Sequence, residues 1–348
     1  MTPDAPALIS PKQGLSIAVD SIDQALLDQV HRARLSEKTW QARRSDLRQY
    51  GYWCQAHGIN PERATDADLC LWMTHMACEG RPNRLTYNPH NGQSTLVSGP
   101  PLSVRSIRRR LSTLKWWMSQ QGRSPNPAAS TLVQDHLAGV VRLLPTRPKR
   151  AKGLGSDPMA ELMHRMEEQE FVDLRDKTLL AVGFAGALRV SDLASLKIED
   201  VRLYPNGANL GFETRKRRSE FSQVPIVAGQ DPSRCPVALL QRYMMRLGAQ
   251  QGPLFRRANR NRQPLAKPLH PSSVARIIMK RAQGIGMEAS HGGVSGHSLR
   301  RGFIDSALLK GAPISEVMKI SGHRDPKTLM LYLDDLGHFN SHPGQGLY

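Results

Sequence analysis

Apolar positions recur at helical spacing through the first two fifths of the chain. In SEKTWQARRSDLRQYGYWCQAHG they put Trp40, Leu47, Tyr50 and Cys54 on one face, with Gly58 as a stop. TDADLCLWMTHMACEG opens on Thr65, with Asp68 three residues on as a variant capping box, and continues as a stripe of Leu69, Trp72, Met73 and Met76. SVRSIRRRLSTLKWWMSQQG turns Val104, Ile107, Leu111 and Leu114 inward. Between these helices, GRPNRLTYNPHNGQSTLVSGPP (80–101) is crowded with Gly, Pro and Asn and predicts a long loop.

The pattern changes after LPTRPKRAKGLG (144–155), where Pro, Gly and basic residues predict a linker. DLRDKTLLAVGFAGALRVSDLASL predicts a buried helix, a turn and a short helix. PNG at 205–207 marks a turn, and ANLGFETRKRRSEFSQVPIV alternates on both sides of a basic tip, as a β-hairpin does. Helices are predicted again near 236–247, 271–283, 298–310, 313–320 and 325–334. The expected organisation is a leader over 1–20, a helical domain over 21–144, a basic linker over 145–155, a second domain over 156–335 and a tail over 336–348. The fold class is mainly α with a small antiparallel β-sheet (α+β).

Charge narrows the partners. Lys and Arg exceed Asp and Glu by 18, so the chain attracts polyanions, of which nucleic acid is the commonest. Arg105, Arg108, Arg109 and Lys115 lie largely off the apolar stripe of their helix without acidic residues at i±4, a pattern that favours phosphate contact over surface ion pairs. No run of about 20 apolar residues predicts a membrane span, and the Pro-rich start lacks a signal-peptide pattern. A cytoplasmic protein without membrane partners is expected. Four cysteines, Cys54, Cys70, Cys78 and Cys235, form no CxxC pair, which argues against a zinc ribbon or a disulfide scaffold.

Four segments of the second half carry candidate chemistry: GALRVSDLASL with Arg189 and Asp192, ETRKRRSEF with Lys216, GHSLRRGF with His297 and Arg300, and SGHRDPKTLMLYL with His323 and, nine residues later, Tyr332. Each alone fits a surface turn, an ordinary salt bridge or a core aromatic. Together and in this order they resemble the tyrosine recombinase (phage integrase) family, which includes lambda-type integrases, Xer recombinases and Cre. The resemblance covers about 175–335, and the first half matches in type, as a small helical DNA-clamping domain.

The resemblance implies a two-domain C-shaped clamp on duplex DNA, with an integrase-type catalytic domain following a core-binding domain. It implies Tyr332 as the nucleophile that forms a covalent 3′-phosphotyrosyl link. Arg189 and Arg300 are the implied clamps on the non-bridging phosphate oxygens, and Lys216 the acid for the leaving 5′ oxygen. His297 is expected to assist proton transfer or bond the phosphate from the same helical face as Arg300, His323 to hydrogen-bond and pack, and Asp192 to orient its neighbours. Arg215, Arg217 and Arg218 beside Lys216 read as phosphate contacts. Implied partners are a DNA site with inverted repeats and further copies of the chain, monomeric when free and tetrameric on two sites joined through a Holliday junction; no cofactor is implied.

Three other readings stay open on the sequence. A regulator that binds DNA without cutting it has no need of Tyr332 or Lys216. A type IB topoisomerase shares the chemistry. A metal-dependent nuclease using His291, His297 and His323 lacks an HExxH box or a carboxylate cluster. Tyr204, Tyr243 and Tyr348 compete with Tyr332 but lack its spacing or an ordered setting.

Overall fold

The computed structural model describes residues 34–80, 82–88, 93–144, 151–213, 221–288 and 293–333. The chain divides into two compact units, Met1–Pro148 and Lys149–Tyr348.

In the first unit, helix α1 (Glu37–Ala56) starts at Ser36, whose hydroxyl accepts the Thr39 N–H. Helix α2 (Asp66–Cys78) starts at the expected box: Asp68 N–H donates to Thr65 Oγ1 and Thr65 N–H donates to Asp68 Oδ2. Such caps satisfy backbone donors that have no partner inside the helix. Helices α3 (Val104–Gln120) and α4 (Thr131–Leu143) complete the set. Tyr50, Trp53, Cys54, Leu69, Trp72, Met73, Met76, Ile107, Leu111 and Leu114 are buried together, which bears out most of the predicted stripes; Trp40 and Val104 are only partly buried and lie outside this core.

The loop expected over 80–101 is instead a hairpin, β1 (Pro82–Asn88) against β2 (Gln93–Ser98), antiparallel, with Leu85 opposite Leu96 and Tyr87 opposite Ser94. The breakers gather at 89–92 and at the two ends. They leave RLTY and STLV as short runs that suit a pleated strand.

The second unit is built round α6 (Phe171–Ala185), which is buried along most of its length. Buried on nearly every side, it is a central helix rather than a surface one. Its buried charges are paired: Asp176 takes Arg175 and Arg281, and Lys177 takes Glu168. Around it pack α5 (Ser156–Arg165), α7 (Val190–Ser195), α8 (Pro236–Leu247), α9 (Pro271–Gln283) and α10 (Ser298–Leu309). Two further helices, α11 (Ile314–Ser321) and α12 (Pro326–Leu333), close on α10 through Ile304, Val317 and Leu329.

The predicted hairpin is present as β4 (Gly207–Glu213) and β5 (Phe221–Val227), with its basic tip outside the described residues. A strand not foreseen, β3 (Val201–Tyr204), pairs with β4 across the PNG turn, with Tyr204 opposite Gly207. A second short hairpin joins β6 (Arg256–Ala258) to β7 (Pro264–Pro268). No helix among the described residues is long and apolar enough to cross a membrane.

The expected linker is structured at its C-terminal end. Residues 145–150 lie outside the described residues, but 151–155 pack on the second unit. Lys152 N–H donates to Gly293 O, Leu154 N–H donates to Ser298 O, and the Leu154 side chain is fully buried. One leucine among basic residues and glycines carries too weak a periodic signal to mark a packed segment.

Candidate active site

The site begins where α6 ends. The chain leaves the helix at Gly186 and turns through Ala187, a residue in the left-handed region at φ 47°. Two residues later Arg189 is extended and caps α7 with its side chain 47% exposed. Asp192 Oδ2 accepts the Arg189 backbone N–H at 3.1 Å and lies 3.8 Å from its Nη1, so this carboxylate fixes the arginine at both ends.

The GHSLR segment is locked against that turn. A Cβ on Gly296 would lie 2.8 Å from Val190 Cγ1 and 3.0 Å from Ala275 Cβ. Only a residue without a side chain lets the backbone before His297 approach the residue after Arg189 this closely. The imidazole and the guanidinium expected on one helical face are placed differently. His297 precedes α10 as its exposed cap, because the helix starts at Ser298, whereas Arg300 lies inside the first turn and is only 5% exposed.

Arg300 spans the site. Its Nη1 donates to the Ala187 carbonyl at 2.9 Å, tying α10 to the turn before Arg189. Its Nη2 faces His323, 3.1 Å from Nε2 and 3.3 Å from Nδ1. The Ser321 hydroxyl lies 2.8 Å from His323 Nδ1 and comes from the last residue of α11. A guanidinium only donates, so the imidazole must present a lone pair. Burial, then Arg300, then Arg189 push the His323 pKa down to about 4. His323 is therefore neutral at pH 7, and the field of Arg189 reaches the ring that Arg300 touches. Three of the expected residues thus share one electropositive centre.

Helix α12 carries Tyr332 in its last turn and docks through buried Leu329 on Ile304 of α10, four residues beyond Arg300. Lys216, Arg215, Arg217 and Arg218 lie outside the described residues, between β4 and β5. Of the competing tyrosines, Tyr243 is fully buried and donates to Leu254 O, burial pushing its pKa up. Tyr204 is exposed on β3, and Tyr348 lies outside the described residues.

On the first unit Arg105, Arg108, Arg109 and Lys115 are all exposed along α3. Arg109 does have an acidic partner, on a different helix: its Nη1 lies 2.8 Å from Oδ2 of Asp46 on α1. Sequence reasoning missed Asp46, Ser321 and the Ala187 carbonyl. Only Asp46 has a companion signal, Arg110, a charged residue standing on the apolar stripe of α3.

The phage integrase family model matches residues 152–337, more than half of the chain. An integrase/recombinase xerD homolog of Selenomonas ruminantium is 23% identical over 315 residues, covering 90% of this chain and 86% of its own. A tyrosine recombinase XerC of Thermodesulfovibrio yellowstonii is 26% identical over 252 residues, covering 69% of this chain and 77% of its own. Among solved structures, a lambda integrase dimer bound to a COC′ core site shares the fold with a TM-score of 0.57 at 16% identity, over 90% of this chain and 76% of that one.

Proposed function

The chain belongs to the phage integrase family and is a tyrosine-type site-specific recombinase with DNA as its partner; we propose that Tyr332 is its nucleophile and that Arg189, Arg300, His297, His323 and Lys216 complete its active site. His297 takes the phenolic proton of Tyr332 as its oxygen attacks phosphorus, a P–O bond to the tyrosine forms, and the bond to the 5′ oxygen breaks. Lys216 gives that oxygen a proton, and the strand leaves as a free 5′-hydroxyl. In the second half the 5′-hydroxyl of another strand returns a proton to Lys216 as it attacks the same phosphorus, the bond to the tyrosine oxygen breaks and that oxygen takes back its proton from His297, so the bond energy is kept and neither metal nor ATP is consumed.

Charge on the phosphorane falls to Arg189 and Arg300, always ionised and planar, each able to donate paired hydrogen bonds. Neutral His323 holds the inner guanidinium in place and His297 stands at the exposed mouth of the site. Asp192 is a positioning residue for Arg189. The DNA site carries inverted repeats, four copies assemble on two sites in the bacterial cytoplasm, and strands pass one pair at a time through a Holliday junction. Arg105, Arg108, Arg109, Lys115, Arg215, Arg217 and Arg218 supply DNA contacts.

The observation that carries this reading is Arg300, buried, bonded to the Ala187 carbonyl and set against a neutral imidazole within reach of the Arg189 charge. The test uses a duplex enriched by the full chain from a randomised pool, nicked beside the cut so that the cleaved end diffuses away, in EDTA. A covalent protein–DNA adduct that disappears in Tyr332→Phe is expected. An adduct that persists in that variant removes Tyr332 from the nucleophile's role, and cleavage abolished by EDTA overturns the metal-free mechanism.

A further inference from the structure

We propose that Arg109 reads the edge of a guanine in the target duplex and that Asp46 is the residue that positions it, an inference that rests on the DNA-binding reading of the α3 face. Arg105, Arg108, Arg109 and Lys115 share that exposed face, yet they are not held alike. Among the described residues Arg105, Arg108 and Lys115 make no salt bridge, whereas the half-exposed Arg109 is tied to a carboxylate that is 2% exposed.

Asp46 is itself held from two sides. Thr113 Oγ1 donates to its Oδ2 at 3.1 Å, and Nε of buried Arg110 stands 3.7 Å from its Oδ1. Burial raises the Asp46 pKa against the opposing pull of Arg109, Thr113 and Arg110. A buried carboxylate that collects groups from positions 109, 110 and 113 sets the roll of α3 on α1 and restrains one guanidinium together.

The two kinds of DNA contact need different things. A phosphate is satisfied by charge, and a loose side chain serves it well. Guanine O6 and N7 accept two N–H donors at once, and the planar guanidinium presents such a pair at fixed spacing. Of the five N–H groups of Arg109, one faces Asp46, and the remaining donors keep the fork geometry that bidentate reading uses. Prior orientation also removes part of the rotamer entropy that an exposed arginine otherwise loses on binding. Position along the helix agrees. Arg105 and Lys115 are about 15 Å apart along the axis at 1.5 Å per residue, and Arg109 lies between them, where a helix with its ends near phosphates meets base edges.

The experiment is selection from a randomised duplex library with the full chain and with Arg109→Lys, Asp46→Asn and Arg108→Ala, followed by titration of the enriched site and its single-base variants. The wild type should enrich a guanine in each half-site. Arg109→Lys, an exposed change that keeps the charge, should lose roughly 5- to 150-fold of discrimination at that base pair and leave the other positions intact. Asp46→Asn should lose the same base preference, with circular dichroism confirming that it folds. Arg108→Ala should weaken all sequences alike and lower the salt slope by about one. An unchanged consensus in Arg109→Lys overturns the proposal and leaves Arg109 a phosphate contact or a brace between helices. So does a wild-type consensus without guanine. A wild-type chain that enriches no sequence overturns the DNA-site reading, and this one with it.

Discussion

His323 holds its neutral form because of what surrounds it. An imidazolium there is partly removed from water, and it faces the guanidinium of Arg300, with Arg189 close enough to add to the repulsion. Its pKa is pushed down to about 4, from the ordinary value near 6.5. Between those values the unfolded chain binds the extra proton, so this group withdraws stability as the pH falls from about 6.5 to about 4 and has no effect above that window. Observation of the histidine ring carbons by NMR should show one imidazole titrating near 4. Arg300→Gln should move that titration part of the way back towards 6.5, since burial, the largest cause, remains. Absence of such a low-titrating ring in the wild type removes the arrangement. The same pair sets a second expectation. Arg300→Lys keeps a positive charge but loses the planar fork that bonds Ala187 O and faces His323 together. Single-turnover formation of the covalent adduct should slow on the order of 10²-fold or more, while DNA affinity changes far less. The arginines and histidines of this centre were legible only together, as four motifs in an order that resembles the tyrosine recombinase family; each alone fits a surface turn or an ordinary salt bridge. The Ala187 carbonyl and the Ser321 hydroxyl were not legible, because a backbone oxygen and a small hydroxyl carry no signal until the chain is folded.

At the scale of elements, the helix that carries Arg300 is held by the segment that enters the second unit. Residues 151–155 run against α10, and a Cβ on Gly302 would sit 1.8 Å from the Leu154 carbonyl oxygen, inside any permissible contact. Gly302→Ala must therefore shift either the entering segment or the helix, and neither is a flexible side-chain tip. Denaturant unfolding should show a loss of about 1–3 kcal/mol, and adduct formation should slow because α10 also supplies Arg300. Gly51 in α1 and Gly139 in α4 have nothing within 4 Å of such an atom. Alanine there should gain about 0.5–1 kcal/mol, by relieving the entropy that a helical glycine loses. Opposite signs for the same substitution test the packing directly; a neutral Gly302→Ala means the close approach does not exist. Legibility at this scale follows from periodicity. The helices near 236–247, 271–283 and 313–320 were readable because their apolar positions repeat over at least two turns between clear breakers. The hairpin over Pro82–Ser98 was hidden because its strands are short and the glycines, prolines and asparagines around them dominate the composition. The entering segment was hidden because a single buried residue, Leu154, makes it part of the core.

For the molecule as a whole, a formal charge of +18 decides how it meets DNA before any side chain recognises anything. Each phosphate neutralised releases condensed counterions, and the logarithm of the binding constant falls with that of salt concentration at about 0.9 per phosphate on duplex DNA. A protein that contacts 6–10 phosphates loses roughly 10³- to 10⁵-fold in affinity between 50 and 200 mM salt, and a fall in that range is expected here. The exposed cations of α3 and the basic residues that the sequence places between β4 and β5 belong to different units of the chain, so both contribute to one slope only when both units engage the same duplex. Tyr332→Phe separates this attraction from chemistry. The variant keeps every cation and should show the wild-type slope and affinity while forming no covalent adduct. Fluorescence anisotropy across a salt series, run beside denaturing gels of the same mixtures, measures the two properties on one sample. A slope near zero in the wild type means the charge is not spent on phosphates. A slope that changes in Tyr332→Phe means the phenol takes part in binding itself, and the separation of attraction from strand cleavage fails.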